Sequence, residues 1–459
     1  MNKMSSSKPD SLRCNGTAPI TIKTLNGSFP FKNQRFLENN CDQTSHTYLG
    51  LTGQFEDGHT SEGLKEFSAY YANRLSYEEV EELVERTTGE KQLSDQSIQN
   101  TVVGKALEVS KQTYLEAKEV LEDDTLGLPE INKEVDIYDV ETKEVLILVD
   151  GIGVKKQSQS RVSKKSANVS TEKDNENTDS RVNTNIVLLE KRAGDFEHIT
   201  SAIDKEGEEL LPLSDIVKSK VIQEYVSDSE PLNVVAVTDG AKNIRTMLTA
   251  IFGFLVVIIL DWYHLRKKVR ELMSMIARNK AEKLEHLEFL LHHLWHGQTK
   301  EVLNYLRTKI KAKEKLQELI TYIEKHQEEI IDYDRRKKAG KEVGLEPEQE
   351  DNEVVHNQSS SNSKTVVNLN QEQETVNAKT AKKVVGSGRV EKACDCTIGK
   401  RQKRKAMSFR LVGSRSLAIL RVVELNHKWL GILFPTIASN DLQQAANDPC
   451  CTSELELVA

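Results

Sequence analysis

The spacing of apolar positions changes several times along the chain, and each change marks a predicted element. From Ser61 to Leu121 apolar residues recur every three or four positions, the period of an amphipathic helix. Ser76 and Glu79 form a Ser-x-x-Glu box ahead of Val80, Leu83 and Val84, so each side chain can satisfy an otherwise free backbone N–H of the first turn. Gly89 ends that helix, and Ser94 or Asp95 starts another carrying Ile98, Val102 and Ala106. Residues 76–107 therefore have the helix, short turn, helix layout of a DNA-reading unit. Gln99, Asn100 and Lys105 are its polar groups able to reach base edges or phosphates. A plain helical hairpin is the alternative, and the acidity of the first helix favours it.

Residues 144–260 follow another rule. EVLILVD, NIVLLE and LNVVAVTD are strand-length apolar runs, NIRTMLTAIF is a short helix stopped by Gly253, and FLVVIIL is one more strand. Strands apolar on both faces predict a sheet covered by helices on each side. Met247 to Leu260 is 14 residues long and contains Gly253, whereas a spanning helix needs about 20, so it reads as helix then strand rather than as a membrane segment. Trp262 to Lys338 is helix-forming throughout.

Other stretches lack a period. The first fifty residues are rich in Asn, Ser, Thr and Gly, with Asn26-Gly27 placed as a hairpin turn. Residues 157–180 are polar and apolar-poor, and 341–384 are rich in Glu, Gln, Asn and Ser, so both are predicted mobile and the second dispensable. The resulting map is an irregular β-rich segment at 1–60, a helical region at 61–125, the first part of an α/β core at 126–261 and a helical subdomain at 262–340. The loop at 341–384, a core-closing helix with a basic region at 385–435 and a loose tail at 436–459 complete it.

Charge sharpens this picture. The net charge of -8 argues against a uniformly basic coat, yet its distribution is uneven. Residues 76–150 hold seven basic and twenty acidic side chains, while 392–428 hold ten basic and two acidic. The run Lys400, Arg401, Lys403, Arg404 and Lys405 is the candidate phosphate-binding patch, with a solvated face or a targeting signal as the plainer reading. Six cysteines form no CxxC pair, which indicates neither a zinc knuckle nor a disulfide framework, and the N-terminus lacks a signal peptide's apolar core. A reducing, intracellular setting is expected.

Two strands lead into Asp-Gly, at Asp150 and Asp239. A carboxylate at the carboxyl edge of a buried strand is rigidly held, and the glycine lets a ligand approach the backbone. Either dipeptide alone is an ordinary turn signal. On matching strands, and with one further acid, the pair suits magnesium held between carboxylates and phosphate oxygens. Glu391, one turn into a helix entered through Gly386-Ser387-Gly388 and extending through the basic run, is the candidate third acid. Asp261 ends the last strand, and His264, three residues on and on the same face if a helix begins there, could pair with it or with DNA; a helix cap with a surface histidine explains them equally well. His292, His293 and His296 lack the glutamate of a zinc-binding HExxH. Trp295 reads as a core residue, with base stacking as its functional alternative.

VDGIGVK, VTDGAKNIR, ILDWYHLRKKV and GSGRVEKACD, in this order, resemble the DDE-class transposases of bacterial insertion sequences, specifically the ISKra-type group of the Mutator-like supergroup. The resemblance covers residues 60–435. It implies an α/β RNase H-like catalytic core with an all-helical insertion and an N-terminal helix-turn-helix-like region. It also implies a catalytic and metal-binding triad of Asp150, Asp239 and Glu391, served by Mg2+ or Mn2+, with Asp261 and His264 as the accessory Asp-x-x-His signature. Its partners would be double-stranded DNA, namely terminal inverted repeats and target DNA. The protein would act as a homo-oligomer on DNA in the bacterial cytoplasm, at the nucleoid and away from membranes. The alternatives are a cleavage-incompetent, domesticated DNA-binding protein of transposase descent and an RNase H-like nuclease or resolvase. The chain departs from the pattern in the polar stretch before GSGRVEK and in Phe409, where relatives tend to have tryptophan.

Overall fold

The computed structural model describes residues 11–39, 41–47, 59–157, 180–228, 230–310, 314–341, 343, 388–403, 407–435 and 437. Asn26-Gly27 makes the expected turn, with Gly27 at φ 108, between strands β1 (Leu12–Thr24) and β2 (Gly27–Glu38). β3 (Cys41–Thr47) completes a three-stranded antiparallel sheet. Helix α1 (Glu62–Ala72) is capped by Ser61. In α2 (Tyr77–Thr88) both capping-box bonds form: Glu79 N–H donates to Ser76 Oγ at 3.2 Å and Ser76 N–H to Glu79 Oε2 at 2.7 Å. Gly89 closes it at φ 76, and Ser94 rather than Asp95 caps α3 (Asp95–Glu122).

α3 runs well past the expected helix-turn-helix span of 76–107, because its buried stripe continues through Val109, Ala117 and Val120. Nor is the helical region a separate body. Leu64, Val80, Ile98 and Val102 share one hydrophobic core with the strand residues Leu146 and Leu148.

The alternation of β4 (Val145–Lys155) decides the architecture. Leu146, Leu148, Ile152 and Val154 enter that core, while Val145, Ile147 and Val149 enter a second one on the opposite face. β4 is flanked by antiparallel β5 (Arg181–Glu190), which pairs in turn with β6 (Phe196–Ile199). Helix α4 (Leu213–Tyr225) leads to β7 (Val234–Thr238), parallel to β4, and α5 (Lys242–Phe252) leads to β8 (Val257–Leu260), parallel to β7. The sheet order is β6-β5-β4-β7-β8. α4 and α5 cover the second core with Ile216, Val217, Val221, Ile244 and Leu248. A one-residue slip of β4 would exchange its two faces, and each buried Val, Leu or Ile is worth about 1.5–3 kcal/mol, so the register is tightly set. The apolar run from Met247 resolves into α5, a 3-10 turn at Gly253–Leu255 and β8. No helix among the described residues is long and apolar enough to cross a membrane.

The helical subdomain comprises α6 (Trp262–Ile276), α7 (Lys280–Trp295), α8 (Thr299–Lys309), α9 (Glu314–Lys325) and α10 (Tyr333–Lys338). It is anchored to the sheet: the fully buried Arg336 donates to both oxygens of Glu144, at 2.9 and 2.8 Å, and Tyr333 OH donates to the Leu260 carbonyl at 2.7 Å. α11 (Gly388–Cys394) does not continue as one α-helix through the basic run as expected. A π-helical stretch, Asp395–Lys403, follows it, then α12 (Leu411–Leu425) and a second π-helical stretch, Trp429–Leu433. Apart from Lys341, Val343 and Ile437, the expected loop 341–384 and tail 436–459 lie outside the described residues, as does 158–179.

Candidate acidic site

The parallel pairing of β4 with β7 ends at Val149 opposite Thr238, so Asp150 and Asp239 are the next positions on two neighbouring strands. Adjacent strands lie roughly 5 Å apart. Asp150 has the parity of Leu148 and Ile152, and Asp239 that of Val235 and Val237, so both take the face of the first core. Asp150 is not the end of its strand, as the sequence had implied. β4 continues to Lys155 because β5 goes on pairing with it, from Asp150 opposite Ile186 to Lys155 opposite Arg181. What stops at Asp150 is the parallel neighbour, and this opens the sheet. Asp239 turns away into α5: its Oδ1 accepts from Ala241 N at 2.8 Å, and Gly240 takes φ 79.

Three more groups close on this face. Asp261 caps α6, with Oδ1 accepting from His264 N at 3.1 Å, while its Oδ2 is buried without a partner. Glu391 sits on α11, which packs Val390, Ala393 and Cys394 into the first core, and both of its carboxylate oxygens are buried and unpartnered. His264 Nδ1 lies 3.5 Å from Glu391 Oε1 and 3.7 Å from Asp261 Oδ1. Beneath them the Cys394 thiol, kept protonated by burial, approaches the Asp150 carbonyl at 3.9 Å.

The charges are strongly interdependent. Burial raises the Asp150 carboxyl; His264 and the Gly151 N–H pull it back, and Asp239 pushes it further up. Burial and then the Asp261 charge raise Glu391. For His264 burial opposes the charged form, but the hydrogen bond and charge of Asp261, with Asp150 and Glu391 behind, outweigh it and hold the imidazole above its ordinary value.

A buried polar atom without a partner costs about 1–3 kcal/mol, and three carboxylate oxygens of Asp261 and Glu391 are in that condition. A cation would satisfy them, and an oxygen-rich donor set suits Mg2+ or Mn2+. The tightest grouping here is Asp261, His264 and Glu391, whose ligand atoms lie within 4.8 Å of one another. Asp150 and Asp239 border it. The chemistry of these residues would fit the expected metal, and Asp261, besides capping α6, offers an oxygen to it.

The expected DNA-binding residues fare unequally. Asn100 is exposed on α3, where its Oδ1 accepts from Gln96 at 3.0 Å; Gln99 is half-buried. Lys105 is paired with Glu108 at 3.1 Å and Glu62 at 3.9 Å. Lys400 and Lys403 are exposed. Arg401 is not available to phosphate: it is buried, its Nε donates to the Ala72 carbonyl at 2.8 Å, and its guanidinium faces the rings of Tyr77 and Phe409. The π-helical winding turns it inward. Arg404 and Lys405 lie outside the described residues.

A second grouping, His296, Asp332 and Asp334, already has protein partners: Asp332 caps α10 and Asp334 takes Trp295 Nε1 and Lys338. Trp295 is half-buried within the helical subdomain, its ring centroid 4.9 Å from that of Trp262. Sequence reasoning missed Arg245, Tyr322, His326 and Glu329, which gather behind Asp239; only the folding of the α9–α10 segment over β8 brings them there. Neither a protein-family profile nor a curated protein matches the chain.

Proposed function

We propose that the protein is an insertion-sequence transposase of the DDE class, with an RNase H-like core, that hydrolyses a phosphodiester at the end of its element and joins the freed 3′ hydroxyl to target DNA. The observation that supports this reading is the placing of Asp150 and Asp239 at adjacent positions of two parallel strands, with Glu391 on a helix far along the chain close enough to feel the Asp150 charge, and with the orphaned carboxylate oxygens of Glu391 and Asp261 buried there. Bound Mg2+ or Mn2+ there supplies activation of the attacking oxygen and stabilisation of the leaving one. Asp150, Asp239, Asp261 and Glu391 would hold the cation. His264 keeps a proton at Nδ1 between the Asp261 and Glu391 carboxylates, offsetting their repulsion while the site is open. Lys400 and Lys403 bind backbone phosphates, and the exposed start of α3, including Asn100, meets bases.

The test is cleavage of duplexes carrying the DNA that flanks the coding sequence, with and without magnesium. Wild-type protein cuts at the element ends only with the metal. Asp150→Asn, Asp239→Asn and Glu391→Gln bind these ends but do not cut. Binding without cleavage by the wild type would establish a DNA-binding protein instead, and cutting of branched DNA regardless of end sequence a nuclease or resolvase.

A further inference from the structure

The segment between α9 and α10 is built around a buried polar cluster. His326 is 2% exposed, and its Nδ1 lies 2.6 Å from Glu329 Oε2, so the imidazole N–H donates to that carboxylate. The other oxygen of Glu329 is 2.6 Å from Arg245 Nη2. One carboxylate thus bridges a histidine of the helical subdomain and an arginine on α5, the helix that begins just after Asp239. The His326 ring is pressed against Gly240: a methyl group there would come within 2.6 Å of Cε1 and 2.8 Å of Leu260 Cδ1. The Glu329 carbonyl accepts from Leu260 N at 2.9 Å, and Leu260 precedes Asp261. Tyr322 stacks toward His326 with centroids 4.7 Å apart, and its hydroxyl feels the charge of Asp239.

His326 therefore abuts Gly240, just after Asp239, the Glu329 carbonyl bonds Leu260, just before Asp261, and Arg245 ties to both His326 and Glu329 from α5. We infer that this cluster is a latch through which the helical subdomain fixes Asp239 and Asp261, making Arg245, His326 and Glu329 positioning residues of the acidic site. The inference rests on the proposed function only in assigning a metal to that site. Partners that orient ligands from behind typically change metal affinity by about 10–100-fold when removed.

The experiment uses the full-length, metal-free chain and two readouts. Amide hydrogen exchange over 238–245 and 257–262 reports the loops, and paramagnetic resonance of free Mn2+ reports affinity. Arg245→Ala and Glu329→Gln should each speed exchange in both segments and weaken Mn2+ binding by about tenfold or more. Arg245→Lys, which keeps the charge, should stay within about threefold of wild type by the same reasoning. Exchange elsewhere in the chain reports global folding, and Glu329→Gln keeps the side-chain shape should the alanine variant unfold. Unchanged exchange in 238–245 and unchanged Mn2+ affinity in Glu329→Gln would overturn the latch, as would failure of Arg245→Lys to restore either. The exchange readout needs neither metal nor DNA. A protein that shows the loosened loops yet never cleaves DNA would defeat the transposase reading and leave the latch standing.

Discussion

Removing Glu144 strands a buried charge. Arg336 has no exposed side-chain surface, and its guanidinium donates to Glu144 Oε1 and Oε2 at 2.9 and 2.8 Å and to the Ile137 carbonyl at 2.9 Å. Lys341 Nζ reaches the same carboxylate at 2.8 Å. Glu144→Ala takes away the one carboxylate that the buried Arg336 and Lys341 share. Breaking a buried pair costs about 3–5 kcal/mol, against about 0–1 kcal/mol for an exposed one. For a folding unit of this scale about 1 kcal/mol moves Tm by roughly 2–4 °C, so Tm should fall by roughly 6–20 °C. Because the loss comes from a buried guanidinium deprived of its carboxylate, Glu144→Leu with Arg336→Met should recover most of it, apolar side chains of similar volume being tolerated where a broken ion pair is not. Thermal unfolding followed by circular dichroism reads both. A Glu144→Ala protein melting within about 2 °C of wild type would refute the reasoning, placing the pair in the range of solvent-screened bridges.

Ser76→Ala removes the cap from Glu79 N–H to Ser76 Oγ and the Oγ bond to Glu79 Oε2, while the backbone N–H of residue 76 can still donate to Glu79, and should destabilise by about 0.5–2 kcal/mol in chemical denaturation. Arg401→Gln should lower Tm while leaving the salt dependence of DNA binding unaltered, whereas Lys400→Gln with Lys403→Gln should leave Tm alone and flatten the log–log salt slope by about 2. His198 is held below its ordinary value of 6.5, chiefly by burial. The folded state therefore binds fewer protons there than the unfolded one, and the stability it contributes is present above pH 6.5 and lost as pH falls through the lowered folded value. Between pH 7 and 5 the Tm of wild type should drop more steeply than that of His198→Gln, and parallel curves would remove His198 from the explanation.

Much of the scaffold was legible because local signals there agree with the tertiary outcome. Ser76, Glu79, Gly89 and Gly253 punctuate their helices by local capping bonds and backbone geometry, and the unbroken apolar run VLILV marks a strand buried on both faces. Asp150 was found but misplaced within its strand, since how far β4 runs depends on pairing with β5, a contact that local apolar runs do not encode. Arg401 was misread because a basic run looks solvent-facing in sequence, while the π-helical winding of 395–403 redirects that one side chain into the core. The cluster of Arg245, His326 and Glu329 left no trace in spacing, for its members sit on different elements and meet only when the helical subdomain closes over β8.

Whether the five groups at the head of β4 and β7 form one cation site can be decided by calorimetric titration of Mn2+ into the full-length protein, wild type and with Asp150→Asn, Asp239→Asn, Glu391→Gln or Asp261→Asn, each checked for native circular dichroism. Saturable binding by the wild type, weakened by about tenfold or more in every variant, is the expected outcome for a shared site. Wild-type affinity retained in Glu391→Gln, or no saturable binding by the wild type at all, would show that these carboxylates do not act together on a metal.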